Sequence, residues 1–161
     1  GLMMSPYYNP IRIDGDFADP FVLRFNGTYY LYCTDPTVRV RTSTDLLNWR
    51  NEGSSLDPRE VNGLVPFAPE VIYSNGWFYM YTSPSGFGHV VLRSTSPLGP
   101  FVRVTENLGR EIDGSVLIDD DGQWYFYWAG WDGIHASRMS SPTCTEDESL
   151  TGASLHGWTE G

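Results

Sequence analysis

Basic residues, cysteine, histidine and long apolar runs are all scarce in this sequence, and each shortage removes a class of function. Ten Lys plus Arg stand against twenty Asp plus Glu, a net charge of −10 at pH 7. A surface this negative repels phosphate backbones and anionic headgroups, which argues against nucleic acid and membranes as partners. No apolar run reaches the roughly eighteen residues of a membrane-spanning helix. The opening GLMMSPYYNP has neither a charged n-region nor a sustained apolar h-region, so no signal peptide is visible. Of the two cysteines, Cys33 in YYLYCT reads as a small buried hydrophobe, and Cys144 sits in the polar stretch SSPTCTEDES. A disulfide between them is a minor alternative, and no C-x-x-C motif is present. His89, His135 and His156 share no metal-ligand spacing and read as surface or core residues. No cofactor or metal is expected.

Aromatic residues, by contrast, are abundant. They make up 15% of the 161 residues, with ten Tyr and six Trp. The length suits one domain with a real core. Neutral polar ligands fit such a surface, because a sugar site needs exposed aromatics together with carboxylates.

Helical periodicity is also lacking. The apolar segments are short, rich in Val, Ile, Tyr and Phe, and bounded by Gly, Pro, Asn or Asp, which predicts strands and hairpins. Three stretches align: Asp19–Thr34 (DPFVLRFNGTYYLYCT), Ala68–Ser83 (APEVIYSNGWFYMYTS) and Asp113–Trp128 (DGSVLIDDDGQWYFYW, with one extra turn residue). Each is an apolar strand, a tight Asn-Gly or Asp-Gly turn and an aromatic strand; such turns need positive φ at their centre. A further strand pair follows each hairpin, with the third copy ending in a looser tail. Four strands recurring about every 45–50 residues predict an all-β propeller of antiparallel blades, with a β-sandwich as the rival fold. The expected blades cover about 17–60, 66–108 and 112–150, and a fourth starts at about 155–161.

In a propeller the first strand of every blade lines the central channel, so equivalent positions ring one cavity. The aligned heads are Asp19, Ala68 and Asp113, with Glu70 two residues beyond Ala68. Like charges facing one another across a pocket are poor for stability. Two aspartates at the same place in a repeat therefore point to chemistry more than to turn formation.

Phe17-Ala18-Asp19-Pro20, Pro66-Phe67-Ala68-Pro69-Glu70-Val71, Glu111-Ile112-Asp113-Gly114-Ser115 leading to Ile118-Asp119-Asp120-Asp121-Gly122, and Gly157-Trp158-Thr159-Glu160-Gly161 together resemble glycoside hydrolase family 43. That family consists of five-bladed β-propeller enzymes acting on arabinose- and xylose-containing polysaccharides. The resemblance implies Asp19 as the general base that activates water. It implies Asp113 as the carboxylate that tunes and orients the acid, and Glu160 as the acid that protonates the leaving oxygen. An inverting pair needs about 6.5–9.5 Å between base and acid, and a neighbouring charge keeps the acid protonated. Two departures stand out: Gly114 where the family usually has Pro, and Phe67 where it often has Trp. The related retaining fructosidases carry Asn-Asp-Pro-Asn-Gly and Arg-Asp-Pro motifs, which are absent here.

Phe67, Glu70 and Trp131 are candidates for substrate binding. Glu70 reads more readily as a brace between blades, and both aromatics also fit blade packing. Asp119-Asp120-Asp121-Gly122 fails as a calcium loop because the alternating acidic ligands are absent, and it reads as a hairpin turn. Gly86-Phe87-Gly88 lacks the helix of a phosphate loop, and the sequon Asn26-Gly27-Thr28 falls in a tight hairpin. The expected partner is a pentose-containing oligo- or polysaccharide. Three blades of five are also expected to associate with themselves or with C-terminal blades, and to be feebly active alone. The alternative from another class is a non-catalytic carbohydrate-binding or interaction propeller. Compartment is undecided from the sequence, with an extracellular or periplasmic location favoured over a cytoplasmic one.

Overall fold

Asn-Gly turns organise the first two sheets. The computed structural model of the chain describes residues 18–110, 112–130 and 132–150. β1 (Ala18–Phe25) and β2 (Thr28–Thr34) meet at Asn26-Gly27, whose φ values are 48° and 78°. β5 (Pro66–Ser74) and β6 (Trp77–Pro84) meet at Asn75-Gly76, with φ of 48° and 85°. Two successive positive φ values define the turn whose twist matches the flanking strands, and Asn-Gly adopts it at least cost. β9 (Ile112–Ile118) and β10 (Trp124–Gly130) turn instead through the aspartate cluster. There Gly122 N–H donates to the Asp119 carbonyl at 2.8 Å and Asp119 N–H donates to the Gln123 carbonyl at 2.9 Å. The cluster is a hairpin turn, as its sequence suggested.

β3 (Arg39–Ser43) and β4 (Arg50–Ser54) complete the first sheet, in the order β1-β2-β3-β4. β7 (Val90–Ser94) and β8 (Val102–Arg103) complete the second, and β11 (Gly133–Ser141) and β12 (Cys144–Leu150) the third. All pairs within the sheets are antiparallel and sequential, the topology of propeller blades. No helix occurs among the described residues. The tail that looked loose in sequence is the seven-residue β12, CTEDESL. Its acidic, unpatterned composition suits an outer strand, where charge blocks further edge pairing.

The sheets stack through apolar seams. Between the first and second, Tyr32, Val38 and Val40 meet Val71, Phe78, Met80 and Leu92, all essentially buried. Between the second and third, Tyr79, Tyr81 and Val91 meet Phe126, Trp128 and Met139. Burying side chains of this size contributes about 1.5–3 kcal/mol each, so these seams dominate cohesion. Both cysteines are free: Cys33 is buried, with its sulfur 3.5 Å from Arg41 Nη1, and Cys144 is exposed.

A polar latch repeats across the seams. The Tyr32 hydroxyl donates to the Pro97 carbonyl, in the β7–β8 connection of the next sheet, at 2.5 Å. Tyr81 does the same to Pro142, in the β11–β12 turn of the third sheet, also at 2.5 Å. The two tyrosines occupy the same position of the repeat. Burial pushes both phenols far above the ordinary tyrosine range, so they stay neutral donors. Removing either hydroxyl leaves a carbonyl without its partner. Tyr32→Phe and Tyr81→Phe should each lower unfolding free energy by about 1–2 kcal/mol in urea titration. A loss below about 0.3 kcal/mol would show that the latch contributes nothing net.

Candidate active site

The inner strands carry the features that matter for chemistry. In β1 the pairing passes from Ala18↔Thr34 to Phe21↔Tyr32, so three steps on β1 match two on β2. β5 repeats this from Phe67↔Ser83 to Glu70↔Tyr81, and β9 repeats it from Ile112↔Ala129 to Ser115↔Tyr127. Each inner strand thus holds one surplus residue at its head. Such a bulge re-aims a side chain that regular pleating would bury in a seam. Asp19 and Ala68 sit in these bulges with left-handed φ of 51° and 47°. Asp tolerates that region through its short polar side chain, whereas Ala adopts it at a cost of about 1–2 kcal/mol that the neighbouring seams must offset.

The bulges frame a cavity of about 250 Å³ lined by Asp19, Pro20 and Phe21 of the first sheet, Ala68, Pro69 and Glu70 of the second, and Gly114 of the third. Asp19 and Glu70 therefore share one cavity. Asp113 belongs to the β9 bulge beside Gly114, while its side chain lies outside the described residues. Trp131 and Glu160 also lie outside the described residues. Phe67 precedes Ala68, is 39% exposed and is not part of the lining; its carbonyl accepts a hydrogen bond from Thr82 at 2.7 Å. Among the described residues no group of His, Cys, Asp and Glu could hold a metal ion.

A hydrogen-bonded relay fixes Asp19. The Ala68 N–H donates to Thr34 Oγ1 at 2.9 Å, and the Thr34 hydroxyl donates to Asp19 Oδ2 at 3.0 Å. With its lone pair engaged by the amide, the hydroxyl proton is directed at the carboxylate, so two sheets jointly orient it. Thr34 was legible only as the last residue of the repeat, and nothing in its surroundings marked it as a partner of Asp19.

Across the second seam the Glu70 carboxyl lies near Ser115 and Val116 of β9. The histidines have diverged in use. His135 Nε2 lies 2.6 Å from Asp132 Oδ1 and its ring stacks on Trp128, while His89 is buried beneath Gly114. The Gly114 departure has a steric cause: a Cβ there would lie 2.4 Å from His89 Nε2 and 2.4 Å from Phe126 Cζ.

Stacked four-stranded sheets with bulged inner strands and carboxylates at the mouth define part of a β-propeller of the glycosidase kind. The family model for glycosyl hydrolases family 43 matches residues 7–161, and the chain belongs to that family. It is 27% identical to the extracellular exo-alpha-(1->5)-L-arabinofuranosidase of Cellvibrio japonicus, covering 78% of this chain and 44% of that protein. It is 31% identical to a xylosidase/arabinosidase of Butyrivibrio fibrisolvens, covering 73% of this chain and 25% of that one. Among solved structures, a thermostable family-43 glycoside hydrolase superposes with a TM-score of 0.72 at 31% identity, over 83% of this chain and 52% of that chain. The endo-arabinase of Bacteroides thetaiotaomicron superposes at 0.71 with 29% identity, over 85% and 56% of the two chains. The chain thus spans half or less of the curated relatives' length.

Burial pushes the Glu70 carboxyl above its ordinary value of 4.5, against the lowering effect of the Ser115 and Val116 hydrogen bonds. The folded chain then holds this proton more tightly than the unfolded chain. The stability gained from protonation is full below pH 4.5 and is lost as pH rises through the raised folded value. Glu70→Gln cannot ionise, so it should flatten this limb in thermal melts from about pH 4 to 8. A curve parallel to that of the parent would exclude Glu70 as its source.

Proposed function

We propose that the protein is a glycoside hydrolase acting on arabinose- or xylose-containing oligo- or polysaccharides by single-displacement inversion. The observation that carries this reading is the cavity where Asp19, Glu70 and Gly114 meet at three bulged strand heads, in a chain of family 43. Asp19 takes a proton from water as that water attacks the anomeric carbon from the face opposite the leaving oxygen. Glu160 gives its proton to the leaving oxygen as the glycosidic bond breaks. Asp113 places a negative charge near that acid, so it remains protonated until the transition state. Phe67 and Trp131 are the aromatic surfaces assigned to sugar contact, and Glu70 braces the cavity floor. The names of the arabinofuranosidase and xylosidase relatives support a pentoside substrate. The extracellular designation of the first supports a location outside the cytoplasm.

The relay supports the role of Asp19 as base. Thr34 occupies Oδ2, and Oδ1 has no hydrogen bond among the described residues, which suits it to receive a water proton. Activity is tested on the complete encoded protein with nitrophenyl arabinofuranoside and xyloside. Asp19→Asn should abolish turnover by about 10²–10⁴-fold. Thr34→Val should cost about tenfold through misorientation, with Thr34→Ser close to the parent. Proton NMR of the first product should show the inverted anomer. Activity untouched by Asp19→Asn would overturn its role as base, whereas a parent with no turnover on any pentoside would leave the non-catalytic carbohydrate-binding reading in its place.

Asp113→Asn separates the roles further. A dinitrophenolate leaving group needs little acid help, so its turnover should fall much less than that of a natural oligosaccharide. Equal losses on both substrates would argue against a charge that acts through the acid.

A further inference from the structure

His89 is 2% exposed and stands at the head of β7, beneath the third bulge. Its Nε2 accepts the Gly114 N–H at 2.8 Å, which requires that ring nitrogen to be unprotonated. Nδ1 then carries the proton and donates to the Gly109 carbonyl at 3.2 Å, so both ring nitrogens are used by backbone. The ring meets Phe126 edge-on at 4.8 Å. Its own backbone is clasped as well: Asn107 Oδ1 accepts the His89 N–H at 3.2 Å, and the Leu108 N–H donates to the His89 carbonyl at 2.7 Å. Gly88 makes room for this clasp, since a Cβ there would lie 2.0 Å from Asn107 Oδ1. The Gly-Phe-Gly stretch thus serves to seat the histidine.

A surplus residue loosens a strand, because the bulge interrupts the ladder. In the first two sheets that slack is taken up by the Thr34 relay. At the third bulge the neighbour of Asp113 is a glycine, the residue with most backbone freedom. We propose that His89 is the positioning residue for Asp113: by holding the Gly114 N–H from its clasped site on the second sheet, it fixes the backbone of the bulge to which Asp113 belongs. The geometry makes Gly114 and His89 one unit. Proline at 114 would have no N–H to give, and any side chain would strike the imidazole.

This inference rests on the glycosidase reading, and the experiment separates the two. The complete protein is assayed on a natural pentose oligosaccharide and on dinitrophenyl pentosides. His89→Leu removes the acceptor and should lower kcat on the oligosaccharide by about 10²-fold with KM little changed. The loss on dinitrophenyl substrate should stay within about threefold, since acid help is not needed there. His89→Gln keeps a carbonyl able to accept the Gly114 N–H and should recover most of the lost kcat. Gly114→Ala keeps the His89 side chain in the sequence but sets a Cβ against its Nε2, and should reproduce the leaving-group-dependent loss. Equal losses on both substrates, or no loss in His89→Leu and Gly114→Ala, would overturn the positioning role while leaving the glycosidase intact. A parent protein inactive on every pentoside would overturn both. Should His89→Leu fail to fold, the Gln and Ala variants decide the matter by the same ratio of losses.

Discussion

A strand packed between two neighbours has no side to spare for a carboxylate, because alternate residues all enter one seam or the other. The extra residue at the head of each inner strand resolves this conflict. It lets the strand below remain a seam element, with Val71 fully buried, while Asp19 three steps from Val22 lines an open cavity. A bulge is locally weak, so each must be stiffened from outside. The stiffening comes from the adjacent sheet each time: Ala68 N–H acting through Thr34, and His89 receiving Gly114 N–H. Side chains at the mouth are consequently held by inter-sheet contacts, and the site exists only where sheets are stacked.

The polarity of the whole chain is handled differently. The Arg–carboxylate pairs among the described residues, Arg50–Glu52 and Arg59–Asp57, are two residues apart, each with an exposed guanidinium and a partly covered carboxylate. Pairs of that kind contribute little. Several other arginines lie over aromatic faces: Arg93 sits 4.1 Å from the Trp77 ring centre, and Arg110 sits 4.8 Å from that of Trp128. With His135 stacked 5.4 Å away on the same indole, Trp128 is fully engaged and 5% exposed. Apolar seams and these cation–π contacts, more than exposed ion pairs, hold the described sheets together.

The elements with a local chemical cause were readable in the sequence. Asn26-Gly27 and Asn75-Gly76 need only their own backbone preferences to turn a chain, and the threefold recurrence around them exposed the blades and the alignment of Asp19 with Asp113. Features that arise between distant segments were not readable. Thr34 and Ala68 are 34 residues apart in sequence, and His89 and Gly114 are 25 apart. No periodicity links members of such pairs. Gly114 stood out as a departure from the family pattern, but its cause lay in an imidazole from another sheet. β12 was obscured because an outer strand needs no apolar alternation.

The tyrosine latches give each seam a direction. The donor always belongs to the earlier sheet and the acceptor to the turn between the last two strands of the later one. Tyr127 occupies the same place of the repeat in the third sheet. Its neighbours Phe126 and Trp128 turn toward the second sheet, so Tyr127 faces the other way. The stack is thus polar, like a series of plugs and sockets set head to tail. Two such faces brought together about a twofold axis would set hydroxyl against hydroxyl, whereas a sheet arriving in the same sense would present a carbonyl. Growth by this interface is heterologous by construction, and closure into a ring is the arrangement that ends it.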